Sequence, residues 1–290
     1  TDVYSPRTTF RCTRLRGAKV GSSVCQFCAV GCSQLGFFKD GKLIDVEGDP
    51  RSAVNEGRLC PKGSSTYALN ENPYRKVKPM YRAPGSDHWE EVSLDWMLDT
   101  VAKRIWDTRN KGFVERDPTT GITVNNCANI GFIGGSANDN EECYLFRKLF
   151  TGGLGILPVE NSARYCHSTT VAALSPTFGF GACTNPPRDL LNSDCILIMG
   201  SNMAEAHPCA FYWPMQAKKK GAVTIHVDPR YTRTSAACDH HVHIRPETDI
   251  AFLSAVIRYI LEKGLWFKEY VLAYTNASTI ILSLIHISEP

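Results

Sequence analysis

Four cysteines limit what this chain can fold into more than any other feature. Cys25, Cys28 and Cys32 form a C-x2-C-x3-C run around the small residues Ala29 and Gly31, and Cys60 returns later in Cys60-Pro61-Lys62-Gly63. Three thiolates inside eight residues can face one cuboidal iron–sulfur body, and a fourth from a separate loop closes it. That spacing points to a [4Fe–4S] site and to electron transfer. A structural zinc site, the second reading, normally presents two separated C-x2-C knuckles rather than one three-cysteine run with a lone return. Disulfides, the third, meet a run too cramped for bridge geometry among its own members.

Composition narrows the class. At 290 residues, with 43% hydrophobic and 21% charged content, the chain reads as a globular sequence of about two domains, neither disordered nor collagen-like. A net charge of +3 gives no ground for nucleic-acid binding. The start of the chain does carry Arg7, Arg11, Arg14, Arg16 and Lys19 against Asp2 alone, a solvated terminus or, as the lesser alternative, a docking arm for a partner subunit. No run of 18 apolar residues exists, so no direct membrane span is expected. The chain begins at Thr1 with neither an apolar leader core nor a twin-arginine segment, so any export signal is expected outside these residues. Residues 282–290 (LSLIHISEP) follow without a turn or cap signal and read as a non-native tail, so the chain is expected to be the front portion of a longer protein.

Along the chain, residues 34–47 read as a hairpin around Asp40-Gly41, ended by Gly48-Asp49-Pro50. The cluster cysteines therefore sit on loops braced by a small sheet. Residues 73–84 (PYRKVKPMYRAP) read as a linker into a larger α/β region. There the periodicity predicts a helix over 94–107 with Leu94, Met97, Leu98, Val101 and Ile105 as a core stripe. A strand over 129–133 and a helix with an acidic start at Asp139, Glu141 and Glu142 follow; its pairs Leu145/Phe146 and Leu149/Phe150 are expected to face a sheet. A buried strand over 195–199 runs into Gly200, a helix begins near Pro208 with Pro214 expected to kink it, and a strand over 222–227 ends in Asp228-Pro229-Arg230. Strand, glycine turn, helix, strand, acid is the order of a dinucleotide-binding unit, although the G-x-G-x-x-G fingerprint is missing. A third strand near 241–244 leads to a helix over 249–263, capped by Thr248 or Asp249, with a buried stripe of Ile250, Leu253, Val256, Ile257, Ile260 and Leu261.

In Arg164-Tyr165-Cys166-His167-Ser168 a thiol lies between a guanidinium and an imidazole, neighbours that favour a thiolate able to attack or to bind metal. A buried, inert cysteine is the competing reading of that segment.

Taken together, the cysteine run with Cys60-Pro-Lys-Gly, Ala163-Arg-Tyr-Cys-His, Gly200-Ser-Asn-Met-Ala-Glu-Ala-His-Pro, Val227-Asp-Pro-Arg-Tyr-Thr-Arg-Thr and Ile244-Arg-Pro-Glu-Thr-Asp-Ile-Ala-Phe resemble the catalytic subunit of molybdenum or tungsten formate dehydrogenases of the respiratory type. The resemblance runs from about residue 16 to residue 278. It implies formate oxidation to CO2, with two electrons passing from a metal held by two molybdopterin guanine dinucleotides to a [4Fe–4S] cluster and on to partners. Cys25, Cys28, Cys32 and Cys60 match the cluster ligands, and Lys62 the lysine between cluster and pterin. Cys166 matches the cysteine or selenocysteine ligand of molybdenum or tungsten, a soft donor for such a metal, and His167 the histidine that accepts the proton. Gly200, Asn202, Glu205 and His207, with Asp228, Arg230, Thr232 and Arg233, match the segments that hold one of the two dinucleotides. Physically, amides and a helix start over 200–208 suit a pyrophosphate, Asp228 suits nucleoside donors or caps a turn, and Arg233 suits phosphate. Two departures stand out: Glu247 replaces a common glycine in R-P-G-T-D, and Phe180 replaces a polar or basic residue.

The implied fold is α/β: a small β-rich [4Fe–4S] domain at 16–75, then Rossmann-like α/β molybdopterin-binding domains, truncated. These comprise the first part of a split domain at 76–160 and a dinucleotide-binding-like region carrying Cys166 at 161–281, before the tail at 282–290. Cys166 and His167 are expected at the floor of a cleft into which the Gly200 and Asp228 loops open, in an open and apolar setting, and these residues alone are expected to be inactive. The implied partners are formate, an iron–sulfur beta subunit and a membrane cytochrome subunit in anaerobic respiration. The implied location is periplasmic or the extracytoplasmic membrane face, with the cytoplasm as alternative. Two other readings stay open, a periplasmic nitrate reductase-like molybdoenzyme and a non-catalytic iron–sulfur electron-transfer subunit as in respiratory complex I.

Overall fold

In the computed structural model the described residues are 14–278 apart from Thr184, with the side chains of Ala163, Tyr165, Cys166 and His167 left undescribed. The front of the basic arm, including Arg7 and Arg11, and the 282–290 tail lie outside the described residues. The chain forms two compact units, Thr1–Ser193 with Ala206–Lys220, and Asp194–Glu205 with Gly221–Pro290.

The first unit opens with an antiparallel sheet of Lys19–Val24, Ser33–Lys39 and Lys42–Gly48, in that spatial order. Alternating apolar residues send Leu35 and Phe37 inward to pack with Leu15, and this small dry core fixes the register. The second hairpin turns at Asp40 and Gly41, both at positive φ (49° and 77°), as a two-residue turn matched to strand twist requires. Within the expected linker, Met80–Tyr81 pairs with Glu90–Glu91, so part of that stretch is a short ladder.

Beyond it, Ser93 caps the helix Leu94–Gly112 by accepting from the Trp96 amide at 3.1 Å. The helix outruns its expected end, and its apolar residues do not form a core: Leu94, Leu98 and Val101 are exposed. A hairpin of Phe113–Arg116 and Thr123–Cys127 follows, then Phe132–Gly134 paired in parallel with Val159–Asn161. Between these parallel strands the helix Asn140–Arg147 starts on a reciprocal Asp139/Glu142 capping box and runs into a π-helical turn, Lys148–Gly153. Phe146 and Phe150 stack on Phe132 with ring centres 4.9 and 4.5 Å apart, whereas Leu145 and Leu149 are exposed, so only half of the expected apolar pairs packs. The helix Ser162–Phe178 and the 3-10 turn Pro187–Asn192 complete this stretch. The helix Pro208–Lys219 belongs to the same unit and stays continuous through Pro214; burial of Phe211, Trp213, Pro214 and Ala217 offsets the missing hydrogen bond.

The second unit holds a parallel sheet ordered Cys195–Met199, Val223–Val227, His240–Val242. Its strands fall where the apolar runs predict them, shortened at the ends. Thr248 occupies the cap position of the helix Asp249–Glu262, but its hydroxyl donates to Arg245 O at 2.6 Å instead of capping. The expected buried stripe of this helix is again uncovered, with Ile250 81% exposed and Ile257 and Leu261 also exposed. Glu247, the departure noted above, sits at φ +69°, in the left-handed region that favours glycine.

Candidate functional site

The pairing of the first two strands ends at Val24↔Ser33, which presents residues 25–32 as a loop. The Cys25 amide closes it by donating to Cys32 O at 2.9 Å, and Gly31 turns the chain inside it at φ +70°. Two buried amide side chains fasten the return loop to this strand. Asn55 Oδ1 accepts from the Ser33 amide at 3.0 Å, and its Nδ2 donates to Ser33 O at 3.1 Å and Arg58 O at 2.8 Å. Gln34 Nε2 donates to Gly63 O at 2.8 Å and Thr66 Oγ1 at 3.1 Å. Because Cys32 precedes Ser33 and Cys60 lies between Arg58 and Gly63, both amides hold the same two cysteine-bearing segments together. Gly48 permits this closure: a Cβ there would stand 2.4 Å from Gly57 O.

The helix Pro208–Lys219 closes over the return loop. Trp213 Nε1 donates to Val54 O at 3.0 Å, and Arg58 donates to Tyr212 Oη at 2.8 Å with its guanidinium 3.7 Å from the ring centre. A fifth thiol, Cys209, is buried here and donates to Arg58 O at 3.7 Å. Cys32 lies within charge-interaction range of Cys25, Cys28 and Cys209, and Cys209 within range of Cys28, Cys32 and Cys60. Burial above all, then the neighbouring Cys209, pushes the Cys32 thiol up to about 12. Such a group gives up its proton when a metal replaces it, so cluster binding here expels protons. Among the described residues no three His, Cys, Asp or Glu side chains gather closely enough for a single metal ion. Four thiols on two fastened segments are the soft donors that an iron–sulfur body takes. Lys62 is exposed in the short helix Pro61–Ser64 that follows Cys60.

In the second unit, Asn202, Glu205, Arg230, Thr232 and Arg233 line one open depression of about 470 Å³, together with Tyr231 and Ala236. Gly200 turns the chain at φ +62° and donates to Val227 O. The expected amide cradle is partly spent: the Ala204 amide donates to Thr234 Oγ1 at 3.0 Å and that of Glu205 to Asn202 O at 3.1 Å. The expected helix start is split between the four-residue Met203–Ala206 and Pro208–Lys219, whose first residue has no N–H. Asn202 Nδ2 donates to Glu205, and Glu205 pairs with Arg233 at 3.1 Å. Both partners of that pair are exposed, so it contributes little, and an anion can replace the carboxylate at Arg233. Asp228 Oδ1 accepts from the Arg230 amide at 2.7 Å, a turn cap, and its Oδ2 lies 3.8 Å from His226 Nε2. Thr232 is buried and caps the helix Arg233–Ala237, exchanging bonds with Ser235 in a capping box. His226, fully buried, fixes this loop: its Nε2–H donates to Ser201 O at 3.1 Å, and its Nδ1 accepts from Ser235 Oγ at 2.7 Å.

Cys166 and His167 lie in the helix Ser162–Phe178, and their side chains fall outside the described residues. His207, at the cap position of Pro208–Lys219, belongs to the compact unit of the cysteines and does not line the depression.

The model of the molybdopterin oxidoreductase Fe4S4 domain matches residues 18–72, and that of the molybdopterin oxidoreductases matches residues 75–266. The chain belongs to the molybdopterin oxidoreductase family. An Fe4S4 domain followed by a molybdopterin oxidoreductase domain implies a [4Fe–4S] cluster and a molybdenum or tungsten bis-pterin centre. The chain is 53% identical over 266 residues to a formate dehydrogenase subunit alpha of Megalodesulfovibrio gigas, covering 91% of this chain and 26% of the relative. It is 46% identical over 268 residues to a formate dehydrogenase 2 subunit alpha (cytochrome c-553) of Nitratidesulfovibrio vulgaris, covering 92% and 26%. The chain thus spans about a quarter of the length of the curated relatives it matches. Among solved structures, acetylene hydratase from Pelobacter acetylenicus aligns with a TM-score of 0.69 at 22% identity over 87% of this chain and 33% of its own, a likeness of fold.

Sequence reasoning missed Asn55, Gln34 and Cys209 on one side, and His226, Thr234 and Ser235 on the other. The amides and hydroxyls read as ordinary polar positions; only His226, alone among apolar residues in the strand Val223–Val227, and Cys209, beside the His207-Pro208 helix start, were visible as oddities.

Proposed function

We propose that these residues supply the cluster site, the metal-ligating thiol and one nucleotide-holding loop set of a formate dehydrogenase alpha subunit that oxidises formate to CO2. What supports the reading is the gathering of Cys25, Cys28, Cys32 and Cys60 in a chain 53% identical to such a subunit. In it, residues 16–75 form the cluster domain, 76–160 the first part of a split α/β domain, and 161–281 the dinucleotide-binding-like region. A likeness of 33% over 263 residues to a nitrate reductase of Symbiobacterium thermophilum is lower, which favours formate as substrate.

A molybdenum or tungsten bis-pterin centre would supply the two-electron redox chemistry by which formate yields CO2, one proton and two electrons. Cys166 would hold that metal and His167 would take up the proton. Lys62, placed just after Cys60, offers a positive charge that favours an added electron on the cluster side. Arg230 and Arg233 meet the phosphates of one dinucleotide, with Gly200, Asn202, Glu205, His207, Asp228 and Thr232 shaping its loops. Electrons leave through an iron–sulfur beta subunit toward a membrane cytochrome. No helix among the described residues is long and apolar enough to cross a membrane; on this reading the enzyme works at the extracytoplasmic face, where partners attach it to the membrane.

The test is Cys166→Ala in the full-length enzyme. Formate oxidation should vanish while the cluster's spectroscopic signal persists; retained turnover would remove Cys166 from the metal. Metal analysis of the full-length protein separates the non-catalytic electron-transfer reading, which requires iron without molybdenum or tungsten.

A further inference from the structure

Cys209 lies 151 residues after Arg58 of the return loop, on the second residue of the helix Pro208–Lys219, yet its side chain is buried against the cysteine loops. Its thiol lies within interaction range of the Cys32 thiol and of the Cys60 amide, and it donates to Arg58 O at 3.7 Å. One thiol therefore faces the last cysteine of the run and the return loop at once. Its helix is anchored independently, by Trp213 on Val54 and Tyr212 on Arg58, so the sulfur is held there by tertiary structure and not by its own bonds alone.

We propose that Cys209 is a positioning thiol for the cluster, turning its S–H toward the Cys32 sulfur once Cys32 is an iron ligand and thereby raising the cluster's reduction potential. The inference rests on the cluster reading above. In metal-free protein Cys32 keeps its proton. Ligation removes the Cys32 proton and leaves a sulfur rich in negative charge with an S–H already in range. A reduced cluster carries one more electron, part of it on the ligand sulfurs, so a donor to Cys32 stabilises the reduced state more than the oxidised one. Arg58 O, the alternative acceptor, is a neutral carbonyl already satisfied by Asn55 at 2.8 Å, and charge-assisted bonds are the stronger ones.

Potentiometric titration of the full-length enzyme, following the cluster by electron paramagnetic resonance, tests this with Cys209→Val, close in volume but without a donor, and Cys209→Ser, which keeps one. The valine variant should retain its iron and show a reduction equilibrium three- to tenfold less favourable, a drop of up to about 59 mV for one electron. The serine variant should fall by less than half of that. Unchanged potentials in both variants at full iron content overturn the proposal. If valine abolishes the cluster while serine keeps it, the donor is what matters and the proposal stands. Loss of the cluster in both overturns it, because sulfur rather than a donor is then required. A wild-type enzyme without any iron–sulfur signal removes the cluster reading itself, an outcome distinct from all of these.

Discussion

The cysteine loops and the loop after His226 are both held at the ends of small sheets, but by opposite means. Around the cysteines, the protein fastens the two ligand segments with Asn55 and Gln34 and leaves the thiols buried at Cys25 and Cys32, half-buried at Cys28 and Cys60, and protonated at Cys32. The group that completes that site must also displace its protons. In the second unit the buried His226–Ser235–Thr232 network satisfies its members without any ligand, and the exposed Arg230 and Arg233 face open space. The first arrangement is finished by what binds there; the second is finished beforehand and offers only its rim. Cofactor loss should therefore disturb the two regions unequally.

The largest contrast should come from removing a ligand. Cys60→Ala in the full-length protein is expected to abolish the iron–sulfur signal, while amide protection at His226 and Ser235 in hydrogen exchange stays as in wild type; equal loss in both places would erase the contrast. Next, Asn55→Ala strands the Ser33 amide and takes one donor from Ser33 O, which keeps the Asp49 amide, and one from Arg58 O, which keeps Cys209, at a cost of about 3–4 kcal/mol in urea unfolding, with faster iron loss to a chelator. Ser235→Ala, its counterpart in the second unit, leaves His226 Nδ1 and the Thr232 amide without partners, costing about 2–3 kcal/mol but leaving iron content unchanged. An iron loss here would mean that the two regions are not independent. The smallest effect concerns acid. Hydrogen bonds from the Arg51 side chain, then from its amide, hold Asp49 below the usual carboxylate range. A carboxyl depressed in the folded state contributes stability above its unfolded value, near pH 4, and loses it as pH falls through the lower folded value. Asp49→Asn should therefore lower stability slightly at neutral pH and flatten the acid limb, the difference from wild type vanishing below the folded value of the carboxyl.

Much of this was legible in the sequence, for reasons that can be named. Cysteine spacing and the Asp40-Gly41 turn are local signals, Cys195–Met199 is an unbroken apolar run and Val223–Val227 a β-branched-rich one, so their positions follow directly. Five of the residues matched to the nucleotide loops by resemblance line one depression. Burial was less legible: amphipathic periodicity at Leu94, Leu98, Ile250 and Leu261 says which face wants cover, not whether anything among the described residues covers it. The fastening amides were invisible, and Cys209 was no more than an oddity, because their partners are 22 residues or more away in sequence, a distance no local pattern spans. Thr232 and Asp228 show the converse: Thr232 read as a ligand-loop residue and Asp228 as a nucleoside contact or a turn cap, and both also serve as caps within their own turns.

Glu247 gives the departure from the family's R-P-G-T-D run a thermodynamic meaning. A side chain at φ +69° costs roughly 1–2 kcal/mol in the folded state, while glycine at the same place costs about 0.4–1 kcal/mol through the freedom it adds to the unfolded chain. The second offsets about half of the first, which leaves the side chain a net cost of about 0.5–1 kcal/mol. A return to glycine at this one turn is therefore expected to stabilise the fold slightly.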